Sequence, residues 1–461
     1  MTAISQWLNK ISFTYTSIYA LVSFRILFGL VMFFSTLRFI LNGWVYDLYI
    51  APKYYFTYYG FDWVHPLSPS GMYLLFGLLI ILSIFITAGL FYRLSTIAFF
   101  CIFTYIELID KTNYLNHYYF ISLVSFLLIF LPANRYFSID TYLGITKRTK
   151  KVQAWTINVL KFQLAIVYVF AGISKLNYHW LIEAQPLNNW LKHQSDLPLI
   201  GGLMEYDITA YLFSWGGALF DLCIPFVLLN RKYRIYGYVL VIIFHVLTSL
   251  MFPIGVFPFV MIISTLIFFS EGFHEKLISR IQKIIPFRSE MRNPKIVLTH
   301  SKTSRIVLSS LLSLYITIQL IVPMRYLLYD GKLFWNEQGY RFSWRVMLIE
   351  KAGYTQFYIH DQKGRKKLID NSKYLTKQQE KMMSTQPDMI LQYAHHLRDE
   401  YSDTLIIEGE EKIYLNIPKV TADVRVALFN TGSRPFIDPN VNLSNIKRGL
   451  QQKKWVLDYE K

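Results

Sequence analysis

The sequence predicts an α-helical polytopic membrane protein with about nine transmembrane helices, followed by a C-terminal α+β extramembrane domain. Three observations predict it. Of 461 residues, 53% are hydrophobic and 17% aromatic, and the mean hydropathy is +0.30, more apolar than a soluble domain of this length. Apolar runs of about twenty residues, the length that crosses roughly 30 Å of hydrocarbon, recur as far as Arg325. Beyond Arg325 the runs stop, and alternating strand-like and charged helical segments replace them.

The apolar runs lie near 18–40, 73–91, 95–109, 117–132, 155–173, 209–229, 235–252, 255–270 and 307–325. Residues 1–16 are polar and the first run is too long for the apolar region of a secretory signal, so it is expected to remain as the first span. Charge sets the orientation. Only 17% of residues are charged, yet the formal net charge is +17, and the excess collects in alternate loops. One holds Arg135, Lys147, Arg148, Lys150 and Lys151, and the next holds Arg231, Lys232 and Arg234. The last holds Lys276, Arg280, Lys283, Arg288, Arg292, Lys295, Lys302 and Arg305. The loops between offer little more than Lys53, Lys111, Lys175 and Lys192. Short cytoplasmic loops carry the positive excess, which places the N-terminus in the cytoplasm. An odd number of spans then puts the C-terminal domain on the extracytoplasmic side of the cell membrane. Basic clusters that abut apolar runs suit anionic lipid headgroups and not nucleic acid.

Segment 271–306 reads as a pair of amphipathic surface helices, with Phe273, Leu277, Ile278 and Ile281 spaced for the interface. Cys101 and Cys223 sit inside apolar runs and read as small core residues, with no disulfide framework expected. The boundary between domains falls after Arg325, giving 1–325 and 326–461. In the second, 356–359 and 366–369 flank Asp361-Gln362-Lys363-Gly364 as a hairpin. Residues 376–401 read as a helix with Met389, Tyr393 and Leu397 on one face, and 414–429 as strands that Gly432, Pro435 and Pro439 break. No internal repeat is evident.

Ionisable residues at membrane depth are costly and mark candidate sites. Lys175 closes the fifth run, where a lysine ordinarily snorkels to the interface. A partly buried amine has its pKa drawn down and can serve as a general base. His117, preceded by Asn116, opens the fourth run, and the topology brings Asn116, His117 and Lys175 to one membrane level. Asp221 lies inside the sixth run and needs a partner or a proton. His245 lies mid-span with no Cys or carboxylate at ligand spacing, so no metal is expected, and HExxH, CxxC and Gly-rich phosphate loops do not occur. His395 and His396 read as a solvated helix face. The segment from Glu337 through Tyr340 to Trp344 should hang over the outer face, as part of an aromatic belt or as the roof of a pocket.

Several segments in one order resemble the vitamin K-dependent gamma-glutamyl carboxylase family, bacterial members included, over nearly the whole chain. They are Asp110-Lys111-Thr112 through Asn116-His117, Leu131-Pro132-Ala133-Asn134 with Phe137-Ser138-Ile139-Asp140, Ala171-Gly172-Ile173-Ser174-Lys175-Leu176, and Ile254-Gly255-Val256-Phe257. Tyr340 with Ser343-Trp344 and Arg434-Pro435-Phe436-Ile437-Asp438-Pro439-Asn440-Val441 extend the match into the C-terminal domain. The resemblance implies reduced vitamin K or a related quinol as cofactor, O2 and CO2 as co-substrates, and a glutamate-containing peptide or protein as acceptor. In that family a lysine deprotonates the quinol, and oxygen addition generates a strong base that removes a glutamate γ proton. The carbanion then captures CO2 while the quinol becomes an epoxide. By match of motif, Lys175 is the initiating base, His117 and Asn116 position or stabilise the reacting groups, Tyr340 contributes from above, and His245 matches a family histidine at the cofactor. Tyr326 and Ile349 stand where animal members carry histidines, which bears on carboxylation more than on quinol oxygenation. Two other readings of the same residues are a non-catalytic scaffold that binds lipid or quinone and a quinol epoxidase with a different acceptor.

Overall fold

A computed structural model describes residues 12–198, 200–284, 302–361, 363–408 and 411–459. Its first part is built of α1 (Tyr19–Leu41), α2 (Pro69–Ala88), α3 (Tyr92–Ile109), α4 (Asn116–Phe130), α5 (Trp155–Lys175), α6 (Asp207–Leu229), α7 (Arg234–Met251), α8 (Phe257–Thr265), α9 (Glu271–Ile284) and α10 (Lys302–Met324). Every expected run falls on one of these helices. Among the described residues, seven helices are long and apolar enough to cross a membrane, or up to eight if a bent pair counts as one span.

The short ones are α4, with 15 residues, and α8, whose nine residues pass through a 3-10 turn and bend by 116° into α9. Neither is long enough to count as a span by itself, so the described residues give fewer spans than the nine expected, although contacts tie both helices to the two ends of the bundle. Asn116, at the start of α4, donates to the Arg345 carbonyl of the C-terminal domain, and just past its end Ala133 accepts from Arg25. α8 starts beside the His117 ring, and the bend beyond it brings Glu271 onto Thr16 and the Ser17 amide at the opposite end. α9 buries His274 and Ile278, as an interfacial helix should. The second helix of the expected surface pair, with Arg288, Arg292 and Lys295, lies outside the described residues, as do residues 1–11. Cys101 and Cys223 are free and exposed, not core residues. An apolar run looks the same on its lipid-facing and packed sides, so composition alone could not place them.

A buried polar lock holds the end of the bundle that carries the basic loops. Phe91 opens α3 and offers no capping side chain. Asp140 substitutes for it, accepting from the amides of Phe91 (2.7 Å) and Tyr92 (3.0 Å) and from Asn134 (2.7 Å). Arg25, 1% exposed, donates to the carbonyls of Ala133 (2.9 Å) and Phe137 (2.6 Å). Beside it β1 (Tyr15–Ser17) pairs antiparallel with β2 (Lys151–Gln153).

In the C-terminal domain, β3 (Lys351–His360), β4 (Lys366–Leu368), β7 (Lys419–Leu428) and β8 (Arg434–Pro435) form an antiparallel sheet of order β4-β3-β7-β8, while β5 (Thr404–Glu408) and β6 (Glu411–Leu415) form a separate hairpin. The expected hairpin is β3–β4, although Gln362 in its turn lies outside the described residues. The helix expected over 376–401 is two helices. Thr376 and Gln379 form a capping box at α11 (Lys377–Met383), and Pro387, which has no amide hydrogen, can only begin α12 (Pro387–Tyr401). Met389, Tyr393 and Leu397 are fully buried, as their spacing required. His395 and His396 are not a solvated face. His395 Nε2 lies 2.7 Å from the Ile446 carbonyl, and the His396 ring centroid is 4.4 Å from that of Tyr54 in the loop after α1, because that loop covers α12.

The domain docks on the helix ends opposite the basic loops through buried polar contacts. Gln379 donates to Asp110 (2.8 Å) and to the Tyr54 carbonyl (2.6 Å), and Gln392 donates to Thr57 (3.0 Å). At the other end, Asp140→Ala leaves three buried donors unpaired and is expected to cost about 2–4 kcal/mol. The measurement is the thermal unfolding midpoint in detergent, where Asp140→Asn should fall between wild type and Asp140→Ala. An unchanged midpoint for Asp140→Ala would show that the lock is not structural.

Candidate functional site

Two adjoining cavities lie at the end of the bundle that faces the C-terminal domain. One, of about 400 Å³, is lined by Asn116, His117, Tyr340 and Arg341 among others. The other, of about 80 Å³, is lined by Lys175, Asp221, His245 and several aromatic rings. Ile254, Phe257, Val346 and Met347 face both. The Phe257 ring centroid is 5.8 Å from that of His117 and 5.6 Å from that of His245, so this side chain is the partition. The residues expected at one level are therefore neighbours, but in two chambers.

Lys175 is the last residue of α5 and is 6% exposed. It does not snorkel. Its Nζ lies 2.6 Å from Asp221 Oδ2 on α6, 3.4 Å from the Ala171 carbonyl and 5.4 Å from the Trp180 ring centroid. Gly172 makes the pairing possible, because a Cβ there would lie 2.8 Å from the Leu222 backbone nitrogen and force α5 and α6 apart. Asp221 thus has the partner its position demanded. An acid inside one apolar run and a lysine at the end of another was the signal for this pair, and the sequence reading singled out each without joining them.

His245 Nε2 lies 3.1 Å from the Tyr168 hydroxyl, which is 3.5 Å from Thr265 Oγ1, and neither of those partners was singled out from the sequence. His245 Nδ1 is buried with no partner among the described residues. Phe213, Phe244 and Phe252 complete the walls. This is an apolar chamber with one amine–carboxylate pair and one orphaned ring nitrogen, a lining whose chemistry suits an aromatic ring that carries a hydroxyl group.

The larger chamber is roofed by the segment after α10. Within it Glu337, Phe342, Trp344 and Met347 have φ of 53°, 60°, 59° and 56°, each costing roughly 1–2 kcal/mol. Gly339, at φ 83°, has the Tyr326 backbone where a Cβ would sit. The start of α4 and the turn before it clamp this strained segment. Asn116 accepts from the Tyr114 hydroxyl (3.0 Å) and donates to the Arg345 carbonyl (2.9 Å), while the Phe342 amide donates to Tyr114 (2.8 Å). Trp344 stacks on Tyr119 with centroids 4.8 Å apart. Both ends of the Asn116 amide are thereby occupied within the fold. His117 is 7% exposed and its ring makes no hydrogen bond among the described residues. Burial and then the Glu337 charge push the Tyr340 phenol above its ordinary pKa, so it stays a donor at neutral pH.

Asp388 of α12 ties the roof to the bundle, accepting from Lys111 and from Arg341, each at 2.8 Å. Burial alone would raise its pKa, but Arg341 and then Lys111 outweigh it and hold the carboxyl well below the carboxylate range. Burial draws Lys111 down to about 8. Among the described residues, no group of three or more His, Cys, Asp or Glu is gathered to hold a metal.

The family model for the HTTM domain matches residues 13–273, and that for the vitamin K-dependent gamma-carboxylase, lumenal domain, matches residues 304–461. No solved structure matches the chain.

Breaking the inner pair should be costly whichever partner goes. Lys175→Met and Asp221→Leu are each expected to lose about 3–5 kcal/mol, and the double variant clearly less than their sum, because the double leaves no buried charge unpaired. Additive losses in a double-mutant cycle would show that the pair is not coupled. Asp388 is more acidic folded than unfolded, where its pKa is about 3.9, so its contribution is present above that value and lost as pH falls below it. The stability gap between wild type and Asp388→Asn should therefore close as pH falls below about 4. A gap independent of pH would contradict this.

Proposed function

We propose that this chain, which belongs to the vitamin K-dependent gamma-carboxylase family, couples quinol epoxidation to carboxylation of a glutamate-containing acceptor. In this reading residues 1–325 form the transmembrane domain and 326–461 the extracytoplasmic one, with the N-terminus in the cytoplasm and the protein in the cell membrane. The observation that carries it is the Lys175–Asp221 pair, 2.6 Å apart in an apolar chamber that abuts the one holding His117.

The orphaned His245 Nδ1 and the aromatic walls favour the small chamber as the place for the head of a reduced vitamin K or related quinol. Bound there, such a quinol would supply, with oxygen, the strong base that a lysine amine cannot be by itself. Lys175 can pass its proton across 2.6 Å to Asp221 Oδ2, which frees Nζ to take up the proton of a hydroxyl group. His245 offers Nδ1 to orient that hydroxyl, and Tyr168 fixes the ring from Nε2. In the larger chamber His117 presents an unpartnered ring, and Tyr340 donates from the roof to an acceptor carboxylate or to carbon dioxide. Asn116 acts through the roof it clamps. Phe257, Val346 and Met347 keep water from both chambers, without which a carbanion would be protonated before it could capture carbon dioxide.

A specific observation favours a second reading, quinol epoxidation with a different acceptor. Tyr326, in place of a histidine, lies under the Arg345 guanidinium at 4.4 Å, and Ile349, also in place of one, packs into apolar clusters. One experiment separates the readings. Purified protein in detergent receives reduced vitamin K, oxygen, labelled bicarbonate and a glutamate peptide. Epoxide and labelled peptide from wild type, with both reduced at least a thousandfold in Lys175→Ala, is the expected result, a loss of roughly 4 kcal/mol in transition-state stabilisation. Epoxide without label favours the second reading. Neither product from folded, quinol-binding protein removes both.

A further inference from the structure

A third cavity, of about 420 Å³, lies between the C-terminal domain and the outer ends of α3 and α10. Its lining holds five cations, Lys111, Arg325, Arg341, Arg448 and Lys453, against two carboxylates, Glu337 and Asp388. Both carboxylates are committed, Asp388 to Lys111 and Arg341, and Glu337 to Lys351 at 2.8 Å. Arg448 is neutralised by Asp62 at 2.5 Å. Two cations remain. Arg325 donates only to the carbonyls of Val322 (3.1 Å) and Arg341. Lys453 makes no side-chain hydrogen bond or ion pair among the described residues, and burial lowers its pKa. Both are partly exposed, and Asp388 acts on Lys453 only through space, so an anion in the cavity would give each cation the direct partner that it lacks.

The rim specifies what kind of anion. Tyr59, Phe61 and Leu450 line the cavity and are exposed, Leu450 at 71%. The turn that carries Arg325 also exposes Leu327 and Leu328, at 62% and 81%, as the final residues of the last candidate span. Apolar and aromatic side chains at a span end lie at the level of the lipid headgroups. A cationic floor below such a rim matches a molecule with an anionic head and hydrocarbon tails.

We propose that this cavity is a binding site for the phosphate headgroup of an anionic phospholipid, with Arg325 and Lys453 gripping the phosphate and Tyr59, Phe61 and Leu450 against the glycerol and upper chains. The site is independent of the quinol chemistry. It shares Lys111, Glu337, Tyr340 and Arg341 with the His117 chamber, so a bound lipid braces the same roof from the other side.

The test uses the full chain, delipidated in neutral detergent and titrated in turn with phosphatidylglycerol, phosphatidylcholine, inorganic phosphate and a hexaglutamate peptide. Binding is read by native mass spectrometry and by the thermal midpoint. One phosphatidylglycerol per chain is expected, held at least about tenfold more tightly than phosphatidylcholine, with Lys453→Gln and Arg325→Gln each removing at least about tenfold of that affinity and Lys453→Arg retaining it. Equal binding of the two lipids overturns the proposal. So does inorganic phosphate saturating the site as readily as the lipid does, which marks a free-anion site, and so does Lys453-dependent binding of the peptide in preference to the lipid. Lys453→Gln breaks no bond seen in the fold, so it decides the matter even if Arg325→Gln fails to fold.

Discussion

Two opposite charges held 2.6 Å apart inside the end of the bundle under the C-terminal domain govern how the site is built. Either Lys175 or Asp221 alone at this depth would cost several kcal/mol, so α5 and α6 must meet where the two side chains meet. Gly172 permits that approach, and the Trp180 ring lies beside the amine. The consequences reach outward from there. α8 begins at Phe257, the wall between the pair and His117, and Val346 and Met347 descend from the roof to seal both chambers. The Lys175–Asp221 pair lines the smaller chamber among aromatic rings, where a low dielectric strengthens the interaction between amine and carboxylate.

The roof is the expensive part. Four non-glycine residues in the left-handed region amount to roughly 4–8 kcal/mol at 1–2 kcal/mol each, a burden comparable to the whole stability of many domains. The compensation comes from Tyr114, Asn116 and Tyr119 of the bundle and from Asp388 and Gln386 of the C-terminal domain. Strain of this kind persists where surrounding structure over-determines it, and it clusters at functional sites. The C-terminal domain thus has a mechanical duty at the chamber, because the helix that holds Arg341 is its own.

The spans were legible because hydrocarbon imposes length and apolarity on every crossing segment, and α1, α2, α5, α6 and α7 fall within a few residues of their runs. α4 and α8 were legible as apolar runs, but their shortness was not, since nothing in composition marks where a helix gives way to irregular backbone inside protein. Lys175, His117 and His245 stood out as polar residues at apolar depth, and the structure brings them to two sides of one phenylalanine. The Lys175–Asp221 pairing depends on which faces of α5 and α6 meet, and Tyr168 and Thr265 are polar residues common in any helix, so contact alone could reveal them. The cysteines and the histidine pair of α12 were misplaced for the same reason: exposure is a property of neighbours. The segment ending in Asp140, one of those that carried the resemblance, lies at the far end from the chambers and caps α3, so part of that signal belongs to the fold and not to chemistry.

The role proposed for Lys175 is that of a base and not merely of a structural cation. Chemical rescue tests it most directly. Folded Lys175→Ala, supplied with reduced vitamin K and oxygen, should form epoxide only when a small primary amine is added, and the rescued rate should rise with the basicity of the amine. Epoxide formation by Lys175→Ala at the wild-type rate without added amine would contradict the account.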